Sequence, residues 1–221
     1  MPPTATMEDI KAYLRTCEKG EVTPENLPPC PRCDVESLYF KNHACRERLF
    51  LIIVDMVVQP IQAYLLRFRC PGCGKTFPSY PDFAIPYKRY TRQTITGFAE
   101  RYVSSDDTYE QAVMDKDEKG VPGYADGEKT LAPSTVHRWV TSLGCLVNTT
   151  RKALDLICQE NPKTPICRDL AQWAVPHPKY RSEGRKTCLL NCFGFLATEA
   201  LFKTVFHLSI FTKLAIACAF V

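Results

Sequence analysis

Apolar side chains recur at helical spacing near the N-terminus and at strand spacing farther along the chain. Residues 7–17 are predicted to form a short helix, because four apolar residues fall on one face: Ile10, Tyr13, Leu14 and Cys17. Residues 38–69 are rich in β-branched and aromatic residues, and near their end Leu66 and Phe68 alternate with two arginines. This second segment is therefore predicted to form a long β-hairpin.

Helical spacing returns in the second half of the chain. It predicts helices over residues 91–103, over residues 107–114 with a cap at Asp106 or Asp107, and over residues 132–144. Pro133 suits the first position of that third helix, and Gly144 suits its end. The tail, residues 187–221, is almost wholly apolar, which predicts a helix buried in this chain or against a partner.

Charge is segregated along the chain, although the formal net charge is only +4. Residues 30–92 carry ten Lys and Arg against five Asp and Glu, and residues 132–186 carry nine against four. Between them, residues 93–131 carry four against nine. Two basic segments around an acidic one indicate a nucleic-acid-binding protein with an acidic insertion, although ordinary solvated faces also carry such blocks.

Four of the 12 cysteines stand in two CxxC pairs, Cys30 with Cys33 and Cys70 with Cys73. No secretory signal pattern precedes them, so we expect a cytoplasmic protein in which cysteines bind metal or stay reduced. Two CxxC turns supply four thiolates, which suit one structural Zn²⁺. Redox-active or unligated thiols are the alternatives. The other eight cysteines are expected to pack as small hydrophobic residues.

The proposed zinc site would be closed, because four cysteines fill a tetrahedral shell and leave no position for water or substrate. It therefore predicts a structural metal and no metal-based catalysis. The hairpin over residues 38–69 would bring the two pairs together. Gly72 and Gly74 are expected to supply the positive φ angles of a tight turn.

The helix over residues 132–144 has the design of a DNA-reading helix. Its apolar stripe is Val136, Trp139, Val140 and Leu143. Four polar residues, which lie on other faces toward its N-terminal end, are candidate contacts to bases or phosphates: Ser134, Thr135, His137 and Arg138. An ordinary amphipathic helix would show the same periodicity.

A second candidate DNA contact follows the second CxxC pair, where basic and aromatic residues interleave. Lys88, Arg89 and Arg92 are expected to neutralise phosphates, and Tyr87 or Tyr90 to stack. The alternative for the aromatic residues is that they cover an apolar face of the hairpin.

The motifs together resemble a known family. The run Leu66–Phe77 with its CPGCGKTF core and the later PYKRY string resemble the zinc ribbon of short bacterial insertion-sequence proteins and transposase N-terminal regions. In that family a helix-turn-helix follows, whose last helix resembles residues 133–139. The resemblance covers about residues 28–144. It implies binding to element-end DNA, with the four CxxC cysteines as ligands and the last helix as reader.

These patterns predict an α+β fold with a small β zinc ribbon, a mainly helical helix-turn-helix region and an apolar helical tail. The expected regions are an N-terminal helix and linker over 1–27, the ribbon over 28–90, the helix-turn-helix over 91–144 with an acidic insertion at 115–132, and a helical region over 145–221. That insertion is longer than the tight turn usual between such helices.

Residues beyond 144 are too few for a transposase catalytic domain, and the carboxylates of matching type, Asp155, Asp169 and Glu199, are not surrounded by alternating strands and helices. The chain is therefore expected to bind double-stranded DNA without being an enzyme or taking a small-molecule substrate. The alternatives are a protein-interaction module docking on a separate enzyme, and a truncated nuclease. The apolar tail predicts a homodimer or partner-transposase contact in preference to a membrane span, because its uncharged runs are short.

Overall fold

The computed structural model describes residues 7–114, 120–163 and 179–214, and within them helices and a sheet with antiparallel strands confirm the α+β class. The chain divides into two compact units. The sheet unit contains the described residues 7–52, 60–92 and 208–214. The helical unit contains the described residues 53–59, 93–114, 120–163 and 179–207.

The predicted long hairpin is present and consists of β1 (Lys41–Val54) and β2 (Val57–Arg69). Its turn residues, Asp55 and Met56, have φ angles of 46° and 60°, the pair of positive angles of a type I′ turn. β3 (Thr76–Ser79) pairs antiparallel with the end of β2.

The predicted N-terminal helix is also present, as α1 (Met7–Glu18). Ile10 is fully buried, and the Tyr13 hydroxyl donates a 3.0 Å hydrogen bond to the carbonyl of Tyr64 on β2. The Tyr13 ring also meets the ring of Phe83 edge-on, with centroids 5.5 Å apart. The apolar face read from the sequence is thus the face that packs inside the sheet unit.

Within the described ranges the next five helices are α2 (Arg92–Ser104), α3 (Tyr109–Val113), α4 (Pro133–Gly144), α5 (Val147–Glu160) and α6 (Glu183–Phe206). A further short helix, α7 (Ile210–Leu214), belongs to the sheet unit. In the helical unit α6 packs against α4 and α5, and α3 packs against α4. The whole predicted stripe of α4 is buried: Val136, Trp139, Val140 and Leu143.

The start of α3 differs from the sequence prediction. Thr108 is the N-cap, with its hydroxyl accepting from the backbone of Gln111 and the Gln111 side chain accepting from the backbone of Thr108. This reciprocal capping box satisfies two backbone donors. A lone Asp106 or Asp107 cap would satisfy fewer, so the predicted cap was wrong by one or two residues.

The acidic insertion at 115–132 contains a strand. β4 (Gly123–Tyr124) pairs in parallel with Val57 and Val58 at the hairpin tip, and all four residues belong to the helical unit. The amide of Gly123 also donates to the carbonyl of Met56 at 2.9 Å. The described part of the insertion is thus tied to the tip by backbone hydrogen bonds, while residues 115–119 lie outside the described residues.

As far as residue 214, apolar side chains of the tail are buried within this chain. Buried positions of α6 include Leu189, Cys192, Phe195 and Phe202, and those of α7 include Ile210 and Phe211. Among the described residues α6 is long and apolar enough to cross a membrane, with a mean hydropathy of 1.3. Since a buried core helix has the same composition, this is weak evidence for a span.

Gly144 allows close approach of α4 and α6. A Cβ atom at this position would lie 2.5 Å from the carbonyl oxygen of Cys188 and 2.8 Å from its Sγ. The backbone of Gly144 does not need a positive φ, since the helix continues into Cys145 in the right-handed region. The glycine read from the sequence as a helix stop is therefore a packing requirement between helices.

We expect Gly144→Ala to lower the free energy of unfolding by about 1–3 kcal/mol, the usual cost of overpacking a core. Gly184→Ala is the matched control, because Gly184 lies in α6 with nothing within 4 Å of the added carbon. That control should be neutral or slightly stabilising. Urea denaturation of both variants measures the difference, and equal midpoints would contradict the close approach.

Candidate metal centre and nucleic-acid interface

The four predicted cysteines come together in the sheet unit. Their sulfur atoms all lie within 4.8 Å of one another, and two of the pairs, Cys30 with Cys73 and Cys33 with Cys70, are 3.5 Å apart. A tetrahedral ion with metal–sulfur bonds of about 2.3 Å separates its sulfurs by about 3.8 Å, whereas a disulfide brings them to about 2.0 Å. The spacing matches ligands of one ion, and these residues can hold a metal.

The two CxxC turns repeat one backbone pattern. In the first, the amide of Cys30 donates to Val35 and the amide of Asp34 donates to Cys30; in the second, Cys70 donates to Lys75 and Gly74 donates to Cys70. These bonds measure between 2.8 and 3.0 Å. The residue after each second cysteine has a positive φ, 55° at Asp34 and 71° at Gly74. Each turn therefore presents its two sulfurs in the same way.

Gly72 has a different role from the one predicted. Its φ is not positive, unlike that of Gly74. A Cβ at Gly72 would lie 3.0 Å from a methyl carbon of Val35 and 3.2 Å from the Sγ of Cys33. The missing side chain thus lets the second turn approach the first, and only Gly74 fulfils the backbone prediction.

A small apolar cluster supports the sulfurs. Cys30 and Cys70 are fully buried within it, and the rings of Phe40 and Phe77 stack with centroids 5.4 Å apart. The other buried members are Leu27, Leu66 and Phe68. Since this cluster is too small to be a substantial core, an ion at the sulfurs would contribute much of the local stability.

Hydrogen bonding favours one thiolate in the cluster. Burial acts to raise the pKa of the Cys70 thiol, but hydrogen bonds from the backbone amides of Cys73 and Gly72 and from the Cys33 thiol outweigh it and lower that pKa to about 7. The thiolate is the form that binds metal. The backbone of the second turn is thus arranged around negative charge on sulfur.

The remaining described cysteines are more varied than the expected packing residues. Cys192 is buried, and the pKa of its thiol is raised to about 12 by burial. Cys45 and Cys145 are exposed, which contradicts the packing prediction for these two. Cys17, Cys158 and Cys188 are partly buried, while Cys167 and Cys218 lie outside the described residues.

The candidate reading helix, α4, exposes most of its predicted contact residues. Ser134, His137 and Arg138 are exposed and Thr135 is partly buried. Arg138 Nε donates to the carbonyl of Ser134, one turn earlier, at 3.3 Å. The His137 ring meets the Tyr109 ring of α3 edge-on at 5.3 Å. These polar residues therefore share the solvent-facing side of a helix whose apolar stripe is buried.

The three predicted cations after the second CxxC pair separate into two groups. Arg89 is exposed and Lys88 partly buried. Arg92, in contrast, is only 4% exposed, and its Nη2 donates to the Asp82 carboxylate at 2.8 Å while its Nε donates to the Asp82 carbonyl at 2.6 Å. A guanidinium engaged in this way is not presented to a phosphate, so the prediction for Arg92 was wrong.

The sheet unit also has a concave surface that the sequence analysis did not single out, and we call it the basic groove. It encloses about 620 Å³. Its cations are Arg46, Arg48, Arg67 and Lys75, and its acidic residue is Glu47. The other lining residues are Leu65, Thr76, Pro78, Tyr80 and Tyr87.

Two of the three carboxylates considered for a nuclease lie in helices. Asp155 is exposed on α5, Glu199 is buried in α6, and Asp169 lies outside the described residues. Among the described residues, the group of side chains able to share one metal ion is the four-cysteine cluster.

Comparison with protein families gives a match over part of the chain. The family described as Domain of unknown function (DUF6431) matches residues 30–119. The match begins at Cys30, contains all four clustered cysteines and the hairpin, and stops before α4. No curated protein and no solved structure matches the chain significantly.

Proposed function

We propose that this protein binds double-stranded DNA, with α4 as its reading helix, and that Zn²⁺ at the four cysteines holds the ribbon together. The observation that carries the DNA proposal is the two-sided character of α4. Val136, Trp139 and Leu143 are buried on one side of the helix. The other side exposes polar groups of the types that contact bases and phosphates.

Contacts from other helices of the same unit hold the buried side of α4 and also Thr141, which is partly exposed. The Trp139 ring lies 5.9 Å from the Phe98 ring of α2, and the guanidinium of Arg185 on α6 donates to the Thr141 hydroxyl at 3.4 Å. A rigidly mounted helix pays little entropy when its exposed side docks in a groove. This mounting supports the proposal that α4 reads DNA.

Zinc is the proposed metal because of the donor set. Four cysteine sulfurs in a closed cluster suit a soft or borderline ion in tetrahedral geometry. With no other ligand position, the ion would act by linking the two turns and would supply no catalysis. The resemblance to insertion-sequence proteins agrees with a ribbon followed by a DNA-binding helix, and it points to element-end DNA as the target.

The test of this function is the affinity of the zinc-loaded chain for a DNA duplex, followed by fluorescence anisotropy across salt concentrations. We expect Arg138→Ala to weaken binding by about fivefold or more, which is the lower end for loss of an arginine contact to a base. If Arg138 contacts phosphate instead, the salt dependence should fall by about 0.9 in logarithmic slope.

The matched control is Arg151→Ala, since Arg151 is an exposed arginine on the neighbouring helix α5. It should change the affinity much less than Arg138→Ala. Equal affinity and equal salt slope for the wild type and Arg138→Ala would contradict the assignment of α4. A wild type that does not bind any duplex in a randomised pool would contradict the function itself.

A further inference from the structure

The basic groove carries a concentrated positive charge in a chain whose net charge is only +4. Four cations and one carboxylate line it, so its local formal charge is +3. Low-dielectric walls around like charges strengthen the attraction of an anion from solution. A polyanion is therefore the class of ligand that the groove favours electrostatically.

Two of its arginines are already oriented by the fold. Arg48 Nη2 donates to the carbonyl of Lys88 at 3.0 Å, and Arg67 Nη2 donates to the Thr76 hydroxyl at 2.7 Å. A guanidinium has five N–H donors, so one such bond fixes the group without exhausting its capacity for phosphate. Pre-oriented guanidinium groups lose less entropy on binding an anion than mobile lysines do.

Tyr87, which lines the same groove, has an unusual conformation. Its φ is 64°, in the left-handed region that bulky side chains rarely adopt, and the residue is 77% exposed. The strain therefore gains no burial for the ring. Backbone strain of this kind is concentrated at functional sites, and an exposed ring in a groove offers a face on which a base can stack.

From these observations we infer that the basic groove binds a single-stranded polynucleotide, with a base stacked on Tyr87 and neighbouring phosphates on its arginines. Its volume of about 620 Å³ is that of a small-ligand site and admits a nucleotide. A duplex keeps its bases stacked on one another, so it could not offer a base face to the ring. This site lies in the sheet unit and does not depend on α4 as a reader of duplex DNA.

The test compares the affinities of the zinc-loaded protein for three labelled strands of twelve nucleotides: oligo-dT, oligo-U and an abasic DNA with the same number of phosphates. We expect both base-bearing strands to bind at least about fivefold more tightly than the abasic strand, the lower end for one stacked base. Similar affinities for oligo-dT and oligo-U would mean that the site does not distinguish deoxyribose from ribose. Tighter binding of oligo-U would identify RNA as the ligand. Both results support the proposal.

The variants isolate the ring and the charge. Tyr87→Ala should abolish the preference for base-bearing strands, whereas Tyr87→Phe should keep it because it keeps the ring. Tyr39→Ala is the matched control, since Tyr39 is an exposed tyrosine of the sheet unit outside the groove. Arg46→Ala should lower the logarithmic salt slope by about 0.7, while Arg15→Ala on α1 should not.

Two results would overturn the inference. One is an abasic strand that binds as tightly as oligo-dT, which would show charge attraction without stacking. The other is Tyr87→Ala with an unchanged preference and a circular dichroism spectrum like that of the wild type. Duplex binding by α4 is scored separately by Arg138→Ala, so the failure of either proposal is visible without the other.

Discussion

Removal of the metal is expected to unfold the region around the four cysteines. Structural zinc sites of this kind contribute apparent binding free energies on the order of 10 kcal/mol, which the unfolded chain cannot recover. The apolar cluster beside the sulfurs has few buried residues, so it cannot replace that contribution. We expect purified protein to contain about one zinc per chain, as the four-ligand set requires.

Cys70→Ser is the sharpest variant for this prediction, because Cys70 is fully buried and its turn stabilises a thiolate. It should lose zinc and lose hydrogen-exchange protection at the amides of Phe68 and Phe77, which face each other across β2 and β3. Elemental analysis and exchange mass spectrometry measure the two effects.

Cys45→Ser is the matched control for the same substitution. Cys45 is exposed on β1 and outside the cluster, so its loss should leave zinc content and exchange unchanged. Wild-type protein purified without a chelator and still lacking zinc would contradict the identity of the metal. Retained protection in Cys70→Ser would contradict the structural role.

Local sequence patterns predicted the elements whose structure depends on residues that are close together in the chain. The helix α1, the hairpin and the buried stripe of α4 follow from apolar spacing, because each element must bury one face. The cysteine cluster was predictable for a related reason. Two CxxC turns at the ends of one hairpin are brought close together, because the strands between them pair along their length.

What the sequence did not predict depends on neighbours distant along the chain. Gly144 reads as a helix end, yet its lack of a side chain matters because Cys188 lies against it. The basic groove is a similar case. Arg46 and Arg48 share one strand face by period-two alternation, but joining them to Arg67 and Lys75 requires the pairing of three strands and a turn.

Arg92 shows the same limit for a candidate site residue. Its position after a basic and aromatic strip indicated a phosphate contact. In the fold it is buried, and its partner Asp82 accepts from it through both side chain and backbone. Composition cannot separate a cation that meets solvent from one that meets an internal carboxylate, because both have the same sequence signature.

Asp82→Ala is expected to destabilise the protein by about 3 kcal/mol, the lower end of the cost of removing one member of a buried ion pair. The lower end applies because the Asp82 side chain is 37% exposed, so water can partly replace it. Its other carboxylate oxygen accepts from the amide of Ser209 at 2.7 Å, and this bond is lost as well. Urea denaturation gives the change in unfolding free energy.

A double-mutant cycle separates this pair from a general loss of packing. Arg92→Met removes the charge but keeps an apolar stem, and the double variant Arg92→Met with Asp82→Ala should lose less stability than the sum of the two single changes, because no charge is left buried. Asp155→Ala, an exposed carboxylate on α5, is the control and should stay within about 0.5 kcal/mol of wild type. Strictly additive losses would refute the ion pair. Wild-type stability of Arg92→Met together with a reduced salt slope for DNA would restore the phosphate contact that the sequence suggested.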